Sequence, residues 1–252
     1  MRPYAAPVRT PARLLTPLVT ALALVAGCAT DDGPRPTGDP VTQEEADLLA
    51  GLLARNHDEG GADFVATAPY GDEAVLTLTG AVDFRDGVGR AQVVTGDGSA
   101  PERTVWFTRE AVWFDDPTGS GSGGYLRRPL LPADDPAPPL LDVVAGLLLN
   151  LSAGSADDAA AFLDGAATWQ GRRSVDGRLT ALYAVPGDAV VAVSATDDVL
   201  VQFAAPVPAE GGDPVEVTVT LAGHGRRSLD LPAEAETIEA ADHPELGAAL
   251  GL

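Results

Sequence analysis

Cysteine is almost absent from this sequence, and lysine is missing altogether. Cys28 is the only cysteine among 252 residues, which excludes an intrachain disulfide and a CxxC metal or redox site. Every fixed positive charge is therefore one of 16 arginines. Aromatic residues make up only 5% of the chain, but 45% of its residues are apolar, which is enough to bury a core.

Positive charge is also scarce. The 16 arginines face 37 acidic residues, which gives a formal net charge of −21. Nucleic-acid binding and flat docking on an anionic membrane both need basic patches, so this charge balance argues against both functions.

The first 27 residues have the pattern of a secretory signal. Residues 1–13 carry Arg2, Arg9 and Arg13 and no acid, and residues 14–25 form an apolar run too short to span a bilayer. Small residues then precede Cys28. Cleavage there would remove three arginines and no acid, which changes the formal charge from −21 to −24.

The order Val25-Ala26-Gly27-Cys28 resembles a bacterial lipobox. The resemblance implies that Cys28 is acylated with palmitate-type chains and becomes the mature N-terminus on the outer face of the cytoplasmic membrane. Two or more chains anchor a protein stably, whereas one holds it only marginally. An ordinary signal with an incidental cysteine is the alternative.

Residues 28–41 are predicted to be the lipidated cysteine and a flexible tether, because they are polar, rich in proline and glycine, and without periodicity. As a coil, residues 29–40 would reach about 20 Å, and the acidic domain would stand off an anionic membrane.

Residues 42–252 are predicted to form a single α+β domain. Thr42 and Glu45 form a capping box that begins a helix ending near Asn56. Residues 140–151 are apolar enough for a buried helix, and residues 155–158 (SADD) are expected to cap a third helix that ends near Leu163. Strands are predicted at 74–84, 90–95, 104–107, 111–114, 125–128, around 169, 179–185, 190–194, 200–203, 215–221 and 229–231.

The domain resembles the lipoprotein-localisation (LolA/LolB-like) superfamily through residues 80–84 (GAVDF), 174–177 (SVDG) and 217–233. It is most similar to the actinobacterial lipid-carrier lipoproteins of the LppX/LprG type. This resemblance implies a curved antiparallel half-barrel whose concave face is covered by helices that enclose an acyl chain or lipid. It brings no catalytic residues.

Two sets of side chains are candidates for the site. An apolar lining is expected from β-strand and helix residues, and these residues would simply be core if they touch one another: Leu76, Leu78, Val82, Phe84, Leu147 and Leu148. Arg127 and Arg128 are candidates for binding an anionic headgroup. The alternative is that such arginines pair with surface carboxylates.

Other chemistry finds little support in the sequence. The GxGxxG match at residues 119–124 is followed by no helix, and a flexible loop explains it better. His57, His224 and His243 lack metal-ligand spacing, and no GxSxG motif is present. We therefore expect no enzyme, no metal and no cofactor.

Two functions remain open. The first is an anchored, exported lipoprotein that binds or carries lipids or acylated molecules in an apolar cavity, with no nucleic-acid partner and an unknown protein partner. The second is a non-enzymatic sensor or protein-interaction module of the same fold with a filled core.

Replacing the lipid attachment point tests the anchor. We expect Cys28→Ser to move the protein from the membrane to the soluble fraction when cells are fractionated. Without acyl chains, we expect the acidic domain to have no other strong interaction with the bilayer. Sedimentation of the variant with membranes to the wild-type extent would contradict lipid anchoring.

Overall fold

The structure is a computed structural model with two units, Met1–Pro34 and Arg35–Leu252. It describes residues 34–70, 74–98, 101–115, 124–133, 135, 138–207 and 214–249. The signal, Cys28 and the first part of the tether lie outside these residues, so those predictions stay predictions.

Two short helices begin the domain. Helix α1 (Gln43–Ala50) has the predicted capping box: Thr42 Oγ1 accepts a hydrogen bond from Glu45 N at 3.3 Å, and Glu45 Oε2 accepts one from Thr42 N at 2.9 Å. Gly51 divides the predicted single helix, and α2 (Leu52–Glu59) then ends at Gly60, whose φ of 99° suits glycine.

The described residues contain twelve strands in one sheet, whose order is β12-β6-β5-β4-β3-β2-β1-β11-β10-β9-β8-β7. The strands are β1 (Gly61–Tyr70), β2 (Ala74–Asp83), β3 (Val88–Thr95), β4 (Arg103–Phe107), β5 (Ala111–Asp115), β6 (Tyr125–Pro129), β7 (Thr168–Val175), β8 (Arg178–Val185), β9 (Ala189–Ser194), β10 (Leu200–Val207), β11 (Val215–Ala222) and β12 (Thr237–Glu239). Every pair is antiparallel except β6 with β12. The antiparallel sheet was predicted, but it is larger than a half-barrel.

Strand β1 was not predicted, although it joins the two halves of the sheet. It pairs with β2 on one side and with β11 on the other. Its buried side chains are Ala62, Phe64, Ala66 and Ala68. Alanine is a poor strand former. The alternation of buried and exposed positions along β1 is therefore clear in the structure, but the sequence shows it only weakly.

Other predictions for the domain had mixed outcomes. The β4–β5 hairpin, β2, β6 and the strands β7 to β11 are confirmed. The third helix is wrong, because Asp158, the last of the predicted capping residues, caps only a single 3-10 turn, Ala159–Phe162. Residues 229–231 form no strand, and β12 was missed together with the last helix, α4 (Pro244–Ala249).

Helix α3 (Leu140–Asn150) packs on β1, β2 and β3, and α2 packs against β10. The predicted buried helix is therefore confirmed to within one residue. Its inward side chains and those of the sheet form one large apolar core. Among the helices of the described residues, none is long and apolar enough to cross a membrane.

Residues just before the predicted domain start at residue 42 also contact the sheet. Residues 35–41, which we call the N-terminal strap, are held against the free edge of β7. Gly38 N donates to Trp169 O at 2.7 Å, Trp169 N to Asp39 O at 2.8 Å, and Val41 N to Ala167 O at 3.2 Å. These residues are therefore part of the sheet edge, although their composition resembles that of a coil.

Two glycine-to-alanine substitutions should change stability in opposite directions. A Cβ at Gly80 would lie 1.9 Å from the Arg90 carbonyl oxygen, so we expect Gly80→Ala to lower the free energy of unfolding by about 1–3 kcal/mol. A Cβ at Gly146 in α3 meets nothing within 4 Å. Gly146→Ala should therefore raise the free energy of unfolding by roughly 1 kcal/mol, because alanine favours a helix more than glycine does. Urea unfolding measures both, and a harmless Gly80→Ala would contradict the close approach of β2 and β3.

Candidate functional site

The six predicted lining residues lie in the main apolar core or pack against it. Strand β2 and the residue that follows it supply Leu76, Leu78, Val82 and Phe84, and α3 supplies Leu147 and Leu148. Five of them are buried in the main core, and Leu147 is partly buried against it. The structure therefore shows a filled apolar layer at this position.

A buried ion pair holds the first turn of α3 to strand β6. Arg128 donates to both oxygens of Asp142, at 2.6 Å each, and Leu131 N donates to Asp142 Oδ2 at 2.7 Å. The Asp142 side chain is 0% exposed and that of Arg128 is 11% exposed. A bidentate pair of this kind fixes the position of the helix end because neither charge can be left alone in an apolar setting.

The other end of α3 is also held by polar contacts. Arg109 donates to Asn150 Oδ1 at 2.7 Å and to Leu149 O at 2.9 Å. The buried Asn56 amide donates to Leu151 O at 2.7 Å. Between these two ends, the buried side chains of α3 are apolar from Val143 onward. Polar contacts thus fix the ends of the helix, and apolar contacts fill the space beneath its middle.

Both arginines proposed for an anionic headgroup are paired with carboxylates. Arg127 lies 3.0 Å from Glu239 of β12 and 5.4 Å from the centroid of the Trp113 ring. Arg128 is committed to Asp142. The structure thus shows the alternative that the sequence left open, in which these guanidiniums are bound by the chain's own acids.

A separate cleft of about 410 Å³ lies where α2, the β7–β8 turn, the loop before β10 and the end of β11 meet. Its charged side chains include Glu59, Asp176, Asp197 and Arg178, and its apolar ones include Val199, Val201 and Leu221. Sequence reasoning missed this cleft because its residues come from four distant segments and share no motif.

Electrostatic interactions in the cleft centre on Asp197 and His224. The Ser194 hydroxyl lowers the pKa of Asp197 by hydrogen bonding more than burial raises it, and Arg178, 2.8 Å away, lowers it further. Burial and Arg178 lower the pKa of His224, against the opposing charges of Glu59 and Asp197. The backbone of Leu200 lies beside the ring, but neither ring nitrogen completes a hydrogen bond with any residue that the structure describes.

The other histidines are exposed or half-buried next to acids, His57 beside Asp58 and His243 beside Glu245. Across the described ranges, no three histidine, cysteine or acidic side chains are grouped so that they could hold a metal ion.

Comparisons with known proteins add little. No family model matches the sequence, and no curated protein matches it. Among solved structures, the chain is similar to the LolA superfamily protein NE2245 from Nitrosomonas europaea, with 10% identity over 79% of this chain and 98% of that chain. The TM-score is 0.26, which is too low for a conclusion about fold or function to rest on it.

Breaking the buried pair should cost far more stability than breaking an exposed one. Asp142→Asn leaves the Arg128 charge buried without its partner, and we expect the free energy of unfolding to fall by about 3–5 kcal/mol. Glu239→Gln removes the partner of Arg127 at a solvated site and should cost at most about 1 kcal/mol. Equal losses in urea unfolding would show that the Asp142 pair does not hold α3.

Proposed function

We propose that this chain is an exported lipoprotein, anchored through Cys28 to the outer face of the cytoplasmic membrane, whose domain binds lipids or acylated molecules under α3. The observation that supports this function is the construction of the α3 layer. The side chains in this layer between α3 and the sheet are apolar. The polar contacts of α3, which covers the layer, lie at the two ends of the helix.

Acyl chains suit such a layer for a physical reason. Each methylene removed from water contributes about 0.8 kcal/mol, so a chain of ten methylenes gains roughly 8 kcal/mol if it is fully shielded. The layer is filled in this structure, so a ligand would have to displace the middle of α3 from β1–β3. That exchange replaces apolar contacts with apolar contacts and leaves no polar group of the layer's centre unpaired.

A sensor or protein-interaction module is the second candidate, and one specific observation favours it. Leu78, Val82 and Leu148 are each 0% exposed, as expected for a core that never opens. In this second proposal the anchor is kept, but the domain recognises a protein through its acidic surface and takes up no lipid.

We further propose that the protein is not an enzyme and binds no nucleic acid. The proposal rests on the acidic charge, on the absence of a nucleophile-elbow motif from the sequence and on the assignment of the lone thiol to lipid.

Lipid binding can be tested on the mature protein with a fluorescent 16-carbon fatty acid. We expect saturable binding, and native mass spectrometry of protein from lipid-producing cells should show a bound lipid. Leu147→Gln should weaken probe binding about tenfold, because it places an amide where an acyl chain would lie.

Val94→Gln is the matched control, since Val94 is an apolar residue that is 41% exposed on β3 and does not belong to the predicted lining. It should leave probe binding unchanged. No probe binding and no bound lipid in the wild-type protein would reject carriage and favour the filled-core module.

A further inference from the structure

Two arginines lie beside Trp169 at the outer edge of the sheet, where the strap meets β7. The guanidinium carbon of Arg35, in the strap, lies 5.2 Å from the centroid of the Trp169 ring, and that of Arg172 lies 5.9 Å from it. Arg173 follows on the same strand and hydrogen-bonds Gln202 of β10. The strap and β7, which are far apart in sequence, therefore bring Arg35 and Arg172 to the same ring, with Arg173 next to Arg172 in the strand.

Of the three arginines, only Arg35 is paired with a carboxylate among the described residues. Arg35 donates to both oxygens of Glu45, at 2.6 and 2.8 Å. Burial raises the pKa of Glu45, but hydrogen bonds from Arg35 and the Thr42 backbone outweigh this and lower it. Arg172 and Arg173 are exposed, and no carboxylate in the described part of the chain pairs with them.

The surrounding strands are free of acidic residues. Strands β7 to β10 contain Arg172, Arg173 and Arg178 and no aspartate or glutamate, although the chain has 37 acids. The nearest acids in sequence lie in the turns that join these strands. The strands at this end of the sheet therefore carry three positive charges and no negative one, in a chain that is strongly acidic overall.

The strap also limits how far this edge can be from an anchor at Cys28. With residues 35–41 held on β7, only residues 29–34 remain between the cysteine and the strap. Seven residue steps span at most about 25 Å when fully extended, and roughly 15 Å as a flexible coil. A tether of residues 29–40 would have let the domain turn more freely.

We propose that the β7 edge is the face that the domain turns toward its membrane, with Arg172 and Arg173 against anionic lipid headgroups. This inference rests on the proposed lipid anchor. A body with a mature charge of −24 is repelled by an anionic bilayer as a whole. Because screening limits this repulsion to about 8 Å at physiological salt, the orientation depends on the charges nearest the surface.

Orientation can be measured on the full lipidated protein in vesicles that contain 30% phosphatidylglycerol. Because Cys28 is the only native cysteine, Ser174→Cys on β7 and Glu236→Cys beside β12 each provide a single labelling site, at opposite edges of the sheet. A headgroup-bound nitroxide should quench a fluorophore at residue 174 much more than one at residue 236.

Substituting Arg172→Gln and Arg173→Gln together should reduce this preference, by about fivefold for each arginine. Arg90→Gln is the matched control, because Arg90 is also exposed and lies 5.1 Å from a tryptophan ring, but in mid-sheet on β3. It should leave the quenching ratio unchanged.

Mass spectrometry of the same samples separates the two possible failures. If Cys28 carries lipid and residues 174 and 236 are quenched equally, or the double substitution has no effect, the membrane-facing edge is wrong and the anchor stands. If Cys28 carries no lipid, the proposed anchor and this inference are both wrong.

Discussion

Helix α3 is apolar around most of its circumference, and its one charged side chain, Asp142, is completely buried. A carboxylate can occupy such a place only with a partner, and Arg128 of β6 supplies two hydrogen bonds to it. This pair fixes the start of α3 on one side of the sheet. The helix can then lie across β1, β2 and β3 and cover their apolar side chains.

The sheet is shaped to receive that helix. Strand β1 presents Ala62, Ala66 and Ala68 on its buried side, and small side chains let a helix approach the central strands closely. The same small residues join the two halves of the sheet without crowding it. The apolar layer is therefore the joint product of one buried ion pair and one alanine-rich strand.

Local sequence signals explain what could be predicted. The capping box at Thr42, the alternation in β2 and the apolar run of α3 each arise within about a dozen residues, and all three are present in the structure. Features that depend on residues far apart in sequence were harder to predict. The assignment of Arg128 to Asp142, the strand made of alanines and the strap on β7 all depend on contacts that local patterns do not encode.

The candidate site shows the same division. The sequence proposed apolar side chains of β2 and α3 as a lining, but it could not decide whether they fill the space between helix and sheet. The buried side chains leave no space exposed there, so the lipid binding that we propose would require the middle of α3 to move while the polar contacts at its two ends hold. A lipid-anchored protein with its β7 edge toward the bilayer would perform this exchange close to the source of its ligand.

Hydrogen exchange in α3 tests this account most directly. The lipid-anchored protein would be measured with and without a phospholipid bearing 16-carbon chains. The account predicts that the ligand changes exchange at the amides of residues 143–149 by at least roughly tenfold, while the amides of β2 keep their protection. If α3 exchanges only through global unfolding, and equally with and without lipid, the layer beneath it is a closed core.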